Sequence, residues 1–133
     1  MRIFMILIGL CLSFVSTANT TVFVSFSMPE TLMIEILQEC ERLHIPAILN
    51  GLYKNSMPET AKKVMALSNQ IPNLSLQIDP TAFERFNIHQ VPALVVSRGD
   101  CFDVIYGTLP LVEGLDRIQR RGECQFIVQD GVQ

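Results

Sequence analysis

The chain has no tryptophan, only two histidines and only four cysteines in 133 residues, and no two of those cysteines form a Cys-x-x-Cys pair. Without that pair there is no local dithiol centre, whose chemistry needs an activated thiolate beside a resolving thiol. Two histidines without clustered cysteines or acids do not make a metal site, and nothing else in the sequence points to a cofactor. Cations are sparse too. Lysine and arginine occur as scattered pairs, Lys62-Lys63 and Arg120-Arg121, which read as solvated helix faces. A phosphate-binding surface needs a cluster, because affinity scales with the phosphates neutralised, so direct nucleic-acid binding is not expected. Finally, no apolar run reaches the roughly 20 residues that a membrane-spanning helix requires.

The longest such run does have a meaning. Arg2 followed by the nearly unbroken apolar stretch Ile3 to Val15 and the small residues Ser16-Thr17-Ala18 reads as a cleavable export signal, cut after Ala18. Cys11 sits behind the bulky Leu10 and before more hydrophobic residues, which argues against a lipid anchor there. Residues 19–133 are then expected to form one exported domain with no membrane insertion after cleavage. The leader carries one basic residue and no acid, so nine basic residues face thirteen acidic ones in the remainder, a formal charge of −4. A domain of this size supports a single core region.

Hydrophobic periodicity divides that domain into nine elements. Thr21 to Phe26 is β-branched and aromatic, as a buried strand should be. Ser27-x-x-Glu30 has the form of a capping box opening a helix, which carries Met33, Ile36, Leu37, Cys40 and Leu43 on one stripe. Pro46 cannot continue it. Ala47-Ile48-Leu49 is a short strand ending at Asn50-Gly51. The pentapeptide Ser-Met-Pro-Glu-Thr of residues 27–31 then recurs at 56–60, again before an amphipathic helix, this one with Val64, Leu67 and Ile71 on one side. Both copies are read as capping boxes. Leu74, Leu76 and Ile78 alternate with polar residues as a half-buried strand, and Asp79-Pro80 caps a short helix bearing Phe83 and Phe86. Ala93 to Val96 turns at Gly99-Asp100 and returns through Cys101 to Tyr106 as a hairpin. A last helix places Leu111, Leu115 and Ile118 on one face and stops at Gly122.

The order β-α-β-α-β-α-β-β-α, with Ile88-His89-Gln90-Val91-Pro92 entering the hairpin, resembles the thioredoxin superfamily. More closely, Phe26-Ser27-Met28-Pro29, Asn50-Gly51-Leu52, Ile78-Asp79-Pro80 with Phe83, and Val91-Pro92-Ala93 resemble the TrbC family of F-type conjugative pilus assembly proteins. One position departs, since Asn50 stands where that family implies an arginine. The resemblance implies an α/β, thioredoxin-like three-layer fold with a central mixed sheet and helices on both faces. It also implies a cis Val91-Pro92 bond, a periplasmic location, and a role in a conjugative or type IV secretion system beside other pilus-assembly proteins. Ser27 and Glu30 occupy the places where the superfamily's two redox cysteines would stand. What the resemblance leaves is a partner-binding groove of Ser27, Met28, Pro29, Val91 and Pro92, with no catalytic residue.

Three cysteines follow the leader, and an oxidising compartment favours pairing two of them. The last helix must run back antiparallel to the strand before it, which returns Cys124 toward Cys101. The expected bridge is therefore Cys101–Cys124, with Cys40 a buried free thiol, although pairings through Cys40 stay open at the level of sequence. The rival function is a thiol oxidoreductase or isomerase working through Cys40 or a labile Cys101–Cys124 bond. A small structural domain without a groove function is the third reading. His44 is expected to offer charge to a helix end, and His89 to lie near the groove.

Overall fold

The computed structural model describes residues 18–124; the expected leader, apart from Ala18, lies outside the described residues. In chain order the elements are β1 (Asn19–Val24), α1 (Glu30–Arg42), β2 (Ala47–Leu49), a 3₁₀ turn (Tyr53–Asn55), α2 (Met57–Gln70), β3 (Leu76–Ile78), α3 (Pro80–Arg85), β4 (Ala93–Arg98), β5 (Cys101–Tyr106) and α4 (Leu111–Arg121). The strands form one mixed sheet in the order β3-β2-β1-β4-β5. β1 pairs in parallel with β2 and antiparallel with β4.

Successive side chains on a strand point to opposite faces, and β1 uses both. Val22 and Val24 enter the larger core with Leu37, Cys40, Leu49, Leu67, Leu94, Leu111 and Ile118, beneath α1, α2 and α4. Phe23 enters the opposite core with Ala82 and Phe83 of α3 and with Ala93 and Val95 of β4. There the Phe23 ring meets Phe83 edge-on at 4.8 Å and Phe86 at 5.9 Å, geometries that add to the area each ring buries. The expected three layers are present, with the short α3 alone on its face.

Some boundaries shift. β1 starts two residues earlier than the β-branched run suggests and ends at Val24, because the chain must turn before α1. β3 is only three residues long at the sheet edge, and Ile78 is 40% exposed, so its alternation is less fully buried than expected. His44 follows the C-cap Leu43 of α1 and adopts a left-handed φ of 56°. Asp79 caps α3 as expected, accepting from Ala82 N at 3.2 Å.

α4 is fastened at both ends. Its first turn lacks a local side-chain cap; instead Glu39 of α1 accepts from Leu111 N through Oε1 at 2.6 Å, a cap supplied from 72 residues away in sequence. In its middle, a Cβ on Gly114 would stand 2.7 Å from Leu94 Cδ2, so glycine permits the close helix–sheet approach. At its far end the Asp103 carboxylate accepts from Glu123 N at 2.9 Å and Cys124 N at 3.2 Å. Beside that clamp lies the Cys101–Cys124 disulfide, its Cα atoms 5.7 Å apart, while Cys40 is free and buried. This pairing agrees with the sequence expectation.

A bridge closing a loop of 22 intervening residues is worth about 3 kcal/mol in chain-entropy estimates. Replacing both Cys101 and Cys124 with serine should lower the unfolding free energy by about that amount, read from the urea midpoint at constant m-value. An unchanged midpoint would mean that the bridge does not constrain the unfolded chain.

Candidate functional site

Phe23 pairs with Ala93 across β1 and β4, so Val24 lies opposite Pro92. The chain leaving β1 and the chain entering β4 therefore meet at one end of the sheet, where the predicted groove residues gather. On the β1 side, Met28 N donates to Ser25 O at 3.1 Å and closes a turn over Ser25 to Met28. Ser27 Oγ bonds Ser25 Oγ at 2.9 Å. Pro29 is the N-cap of α1 and makes no side-chain cap bond. The expected capping box at Ser27 is thus not formed. Its hydroxyl is drawn into the turn, and α1 begins only at Glu30.

The second copy behaves differently. Ser56 is a genuine N-cap, its Oγ accepting from Glu59 N at 3.3 Å. Thr60 is 2% exposed; its Oγ1 donates to Ser56 O at 2.7 Å and accepts from Tyr53 N at 2.8 Å. Met28 is 9% exposed, whereas its counterpart Met57 is 62% exposed. Burial of Met28 in the core decides the difference: pulling that side chain inward forces the tight turn before it.

On the β4 side, the Val91-Pro92 bond is cis, as the sequence resemblance implies. Pro92 is buried and Val91 half-buried, touching both cores. Pro92 O accepts from Gly107 N at 3.0 Å. Ser27 and Pro29 are exposed, so the accessible part of the predicted groove is Ser27, Pro29 and the edge of Val91. A concavity of about 460 Å³ beside Ser27 opens toward Asn50 to Asn55 and does not include Val91 or Pro92. Two aromatic contacts border this end; His89 lies here as expected, whereas the places of Tyr53 and Tyr106 are not read from the sequence. Phe26 meets Tyr53 edge-on at 5.8 Å, and the His89 ring lies tilted against Tyr106 with centroids 4.9 Å apart. His89 Nδ1 lies 3.2 Å from Asn87 O and 3.3 Å from the Tyr106 hydroxyl. The aromatics that follow β1 and β2, Phe26 and Tyr53, were the available signal.

The chemistry on offer is limited. The hydrogen-bond partner of Ser27 Oγ is another serine hydroxyl, not a base that could activate it. Cys40 is 1% exposed, and burial, reinforced by the Glu39 charge, pushes its thiol up from 9.0 to about 12. At neutral pH about one such thiol in 10⁵ is ionised, and the thiolate is the reactive form. Among the described residues no three His, Cys, Asp or Glu converge as a metal-binding group.

Comparison with known proteins gives three findings. The family model for the type-F conjugative transfer system pilin assembly protein, TrbC, matches residues 22–113. The chain is 37% identical over 108 residues to periplasmic protein TrbC of Escherichia coli (strain K12), covering 81% of this chain and 51% of that protein. It thus spans about half the length of that curated relative. Among solved structures it is similar to MTB dsbF in its mixed oxidized and reduced forms, with a TM-score of 0.55 over 80% of this chain and 81% of the other. Identity there is 15%, so the likeness speaks for the thioredoxin-like fold alone.

The two pentapeptides should separate by mutation. Ser56→Ala should cost about 1 kcal/mol, the usual value of an N-cap, while Ser27→Ala should stay within about 0.5 kcal/mol; thermal or urea unfolding measures both. Cys40 should resist a thiol reagent in the folded protein near neutral pH. Its raised folded pKa means that the thiol's contribution to stability is whole below about pH 9, its unfolded range, and is lost as pH climbs toward 12. Rapid native-state labelling at pH 7 would contradict this.

Proposed function

The chain belongs to the TrbC family of type-F conjugative transfer pilin assembly proteins, and we propose that it acts there as a non-enzymatic periplasmic factor that holds another component of the apparatus. The observation carrying this reading is the first-helix start. Ser27 and Glu30 stand there instead of two thiols, and the remaining cysteines lie elsewhere. Cys40 is buried. Cys101 pairs with Arg98 at the opposite end of the hairpin from Ala93 and Tyr106, roughly 17 Å away along a six-residue strand. The rival, thiol exchange through Cys40 or the Cys101–Cys124 bond, would need electrons handed over far from the cis-proline end.

In this reading Ser27, Met28, Pro29, Val91 and Pro92 form the partner surface. Ser27, Pro29 and Val91 offer contact, and the buried Met28 and Pro92 hold them in place. Extended polypeptide at such a surface is recognised by main-chain bonds together with side-chain pockets. The partner is another pilus-assembly or secretion-system protein. Residues 1–18 serve as the export signal and 19–133 as the working domain.

The test uses donor cells lacking the native gene and the purified mature protein. Cys40→Ser should support pilus assembly as the unsubstituted chain does, and the protein should not accelerate insulin reduction by a dithiol. The exposed pair Ser27→Arg with Pro29→Asp should impair assembly while leaving the circular dichroism spectrum unchanged. N-terminal sequencing of periplasmic protein should begin at Asn19. Insulin turnover that disappears in Cys40→Ser would overturn the non-enzymatic reading.

A further inference from the structure

Beside Phe26 and Met28, α1 and α2 leave a trough of about 340 Å³. Its buried members are Met28, Met33 and Leu67, and the edge-to-face rings of Phe26 and Tyr53 form part of its wall. Two ammonium groups converge on one of those rings. Lys63 Nζ lies 4.4 Å from the Tyr53 centroid and 5.7 Å from that of Phe26, and Lys54 Nζ lies 5.2 Å from Tyr53. Cations over aromatic faces are attracted by the ring quadrupole, but two of them on one ring also repel each other.

The segment that brings them together is built at a conformational cost. Lys54 and Asn55 are consecutive non-glycine residues at φ 53°, a region disfavoured for side chains. The buried Thr60 hydroxyl holds the segment there by accepting from Tyr53 N. Among the described residues neither Lys54 nor Lys63 forms an ion pair. The trough does contain two carboxylates. Glu59 is engaged with Lys62 at 3.4 Å, and Glu30, in the first turn of α1, makes no ion pair with a lysine among the described residues. The result is a trough with a methionine and leucine floor and a charged rim, where three lysines face two carboxylates and, among the described residues, Lys54 and Lys63 form no ion pair, in a chain whose net charge is −3.

We infer that this trough is a docking site for an acidic amphipathic helix of a partner protein. Its apolar stripe lies over Met28, Met33 and Leu67, and its carboxylates reach Lys54 and Lys63. Charge complementarity selects the acidic partner. The helical form follows from the walls. The neighbouring strands β1 and β2 are each paired on both sides, so an extended peptide finds no free strand edge, and only side chains are left to read. From Glu59 to Gln70, α2 offers about 16 Å of wall, enough for about three helical turns. Methionine-rich floors adapt to such stripes. The trough adjoins the Ser27 and Val91 surface and shares the buried Met28 with it, but the lysine substitutions that test it lie outside that surface.

The probes are two synthetic peptides of about 16 residues, long enough for partial helicity. One carries a leucine stripe flanked by glutamates, and the other carries lysines in place of the glutamates. Isotope-labelled mature protein titrated with the glutamate peptide should show saturable shifts at Tyr53, Lys63 and Met33, weakening as salt rises. Lys54→Glu with Lys63→Glu should weaken that binding by roughly tenfold or more and transfer preference to the lysine peptide. Ala66→Glu, an exposed change in the trough wall, should weaken it without touching the core, and circular dichroism checks the fold of each variant. Equal binding of both peptides, shifts elsewhere on the surface, or no binding at about 1 mM, where the weakest useful affinities lie, would overturn the inference. So would lysine-dependent binding to phosphatidylglycerol vesicles with none to the glutamate peptide, which would make the ligand a membrane surface.

Discussion

The burial of β1 on both of its faces is the constraint on which the remainder depends. Val22-Phe23-Val24 contributes to two cores at once, and its backbone carries both the parallel pairing with β2 and the antiparallel pairing with β4. A one-residue slip would exchange the two faces, driving Phe23 under α1 and the valines under α3. The register is therefore fixed by side-chain volume, and with it the meeting of the Ser25 to Pro29 turn and the cis Val91-Pro92 segment. Both segments that meet at that end of the sheet are placed by that register.

The repeated pentapeptide shows how far such tertiary demands override local rules. Read as letters, both copies satisfy the capping-box pattern. In the second copy the serine caps, the threonine hydroxyl ties down the preceding turn, and the methionine is left in solvent. In the first copy the methionine is taken into the core, the serine bonds its neighbour Ser25, and the helix begins three residues after Ser27. An N-cap is worth about 1 kcal/mol, whereas full burial of a methionine is worth about 1.5–3 kcal/mol. Burial prevails where a core is available to receive the side chain.

The fastening of α4 follows the same logic with other forces. A short helix on the side of an edge hairpin is secured by a carboxylate from α1, a two-amide clamp from Asp103 and a disulfide. Each attachment lies at a helix end, where free backbone groups need partners. Thiol chemistry is consistent with this division of labour: one cysteine is buried as a small apolar group, and two serve as a staple at the end of the sheet remote from the cis-proline.

The sequence by itself determined the order of strands and α-helices, the hairpin turn and the family resemblance, because periodicity, proline and glycine act locally and leave marks in the letters. It also pointed to the Cys101–Cys124 pair, since a helix returning along its strand brings those ends together. It could not determine which of two identical pentapeptides caps a helix, that Glu39 caps α4, or that Phe26, Tyr53, Lys54 and Lys63 share one rim. Those outcomes depend on residues distant in sequence competing for the same core volume or the same unpaired amide. Only the packed sheet and its helices decide that competition.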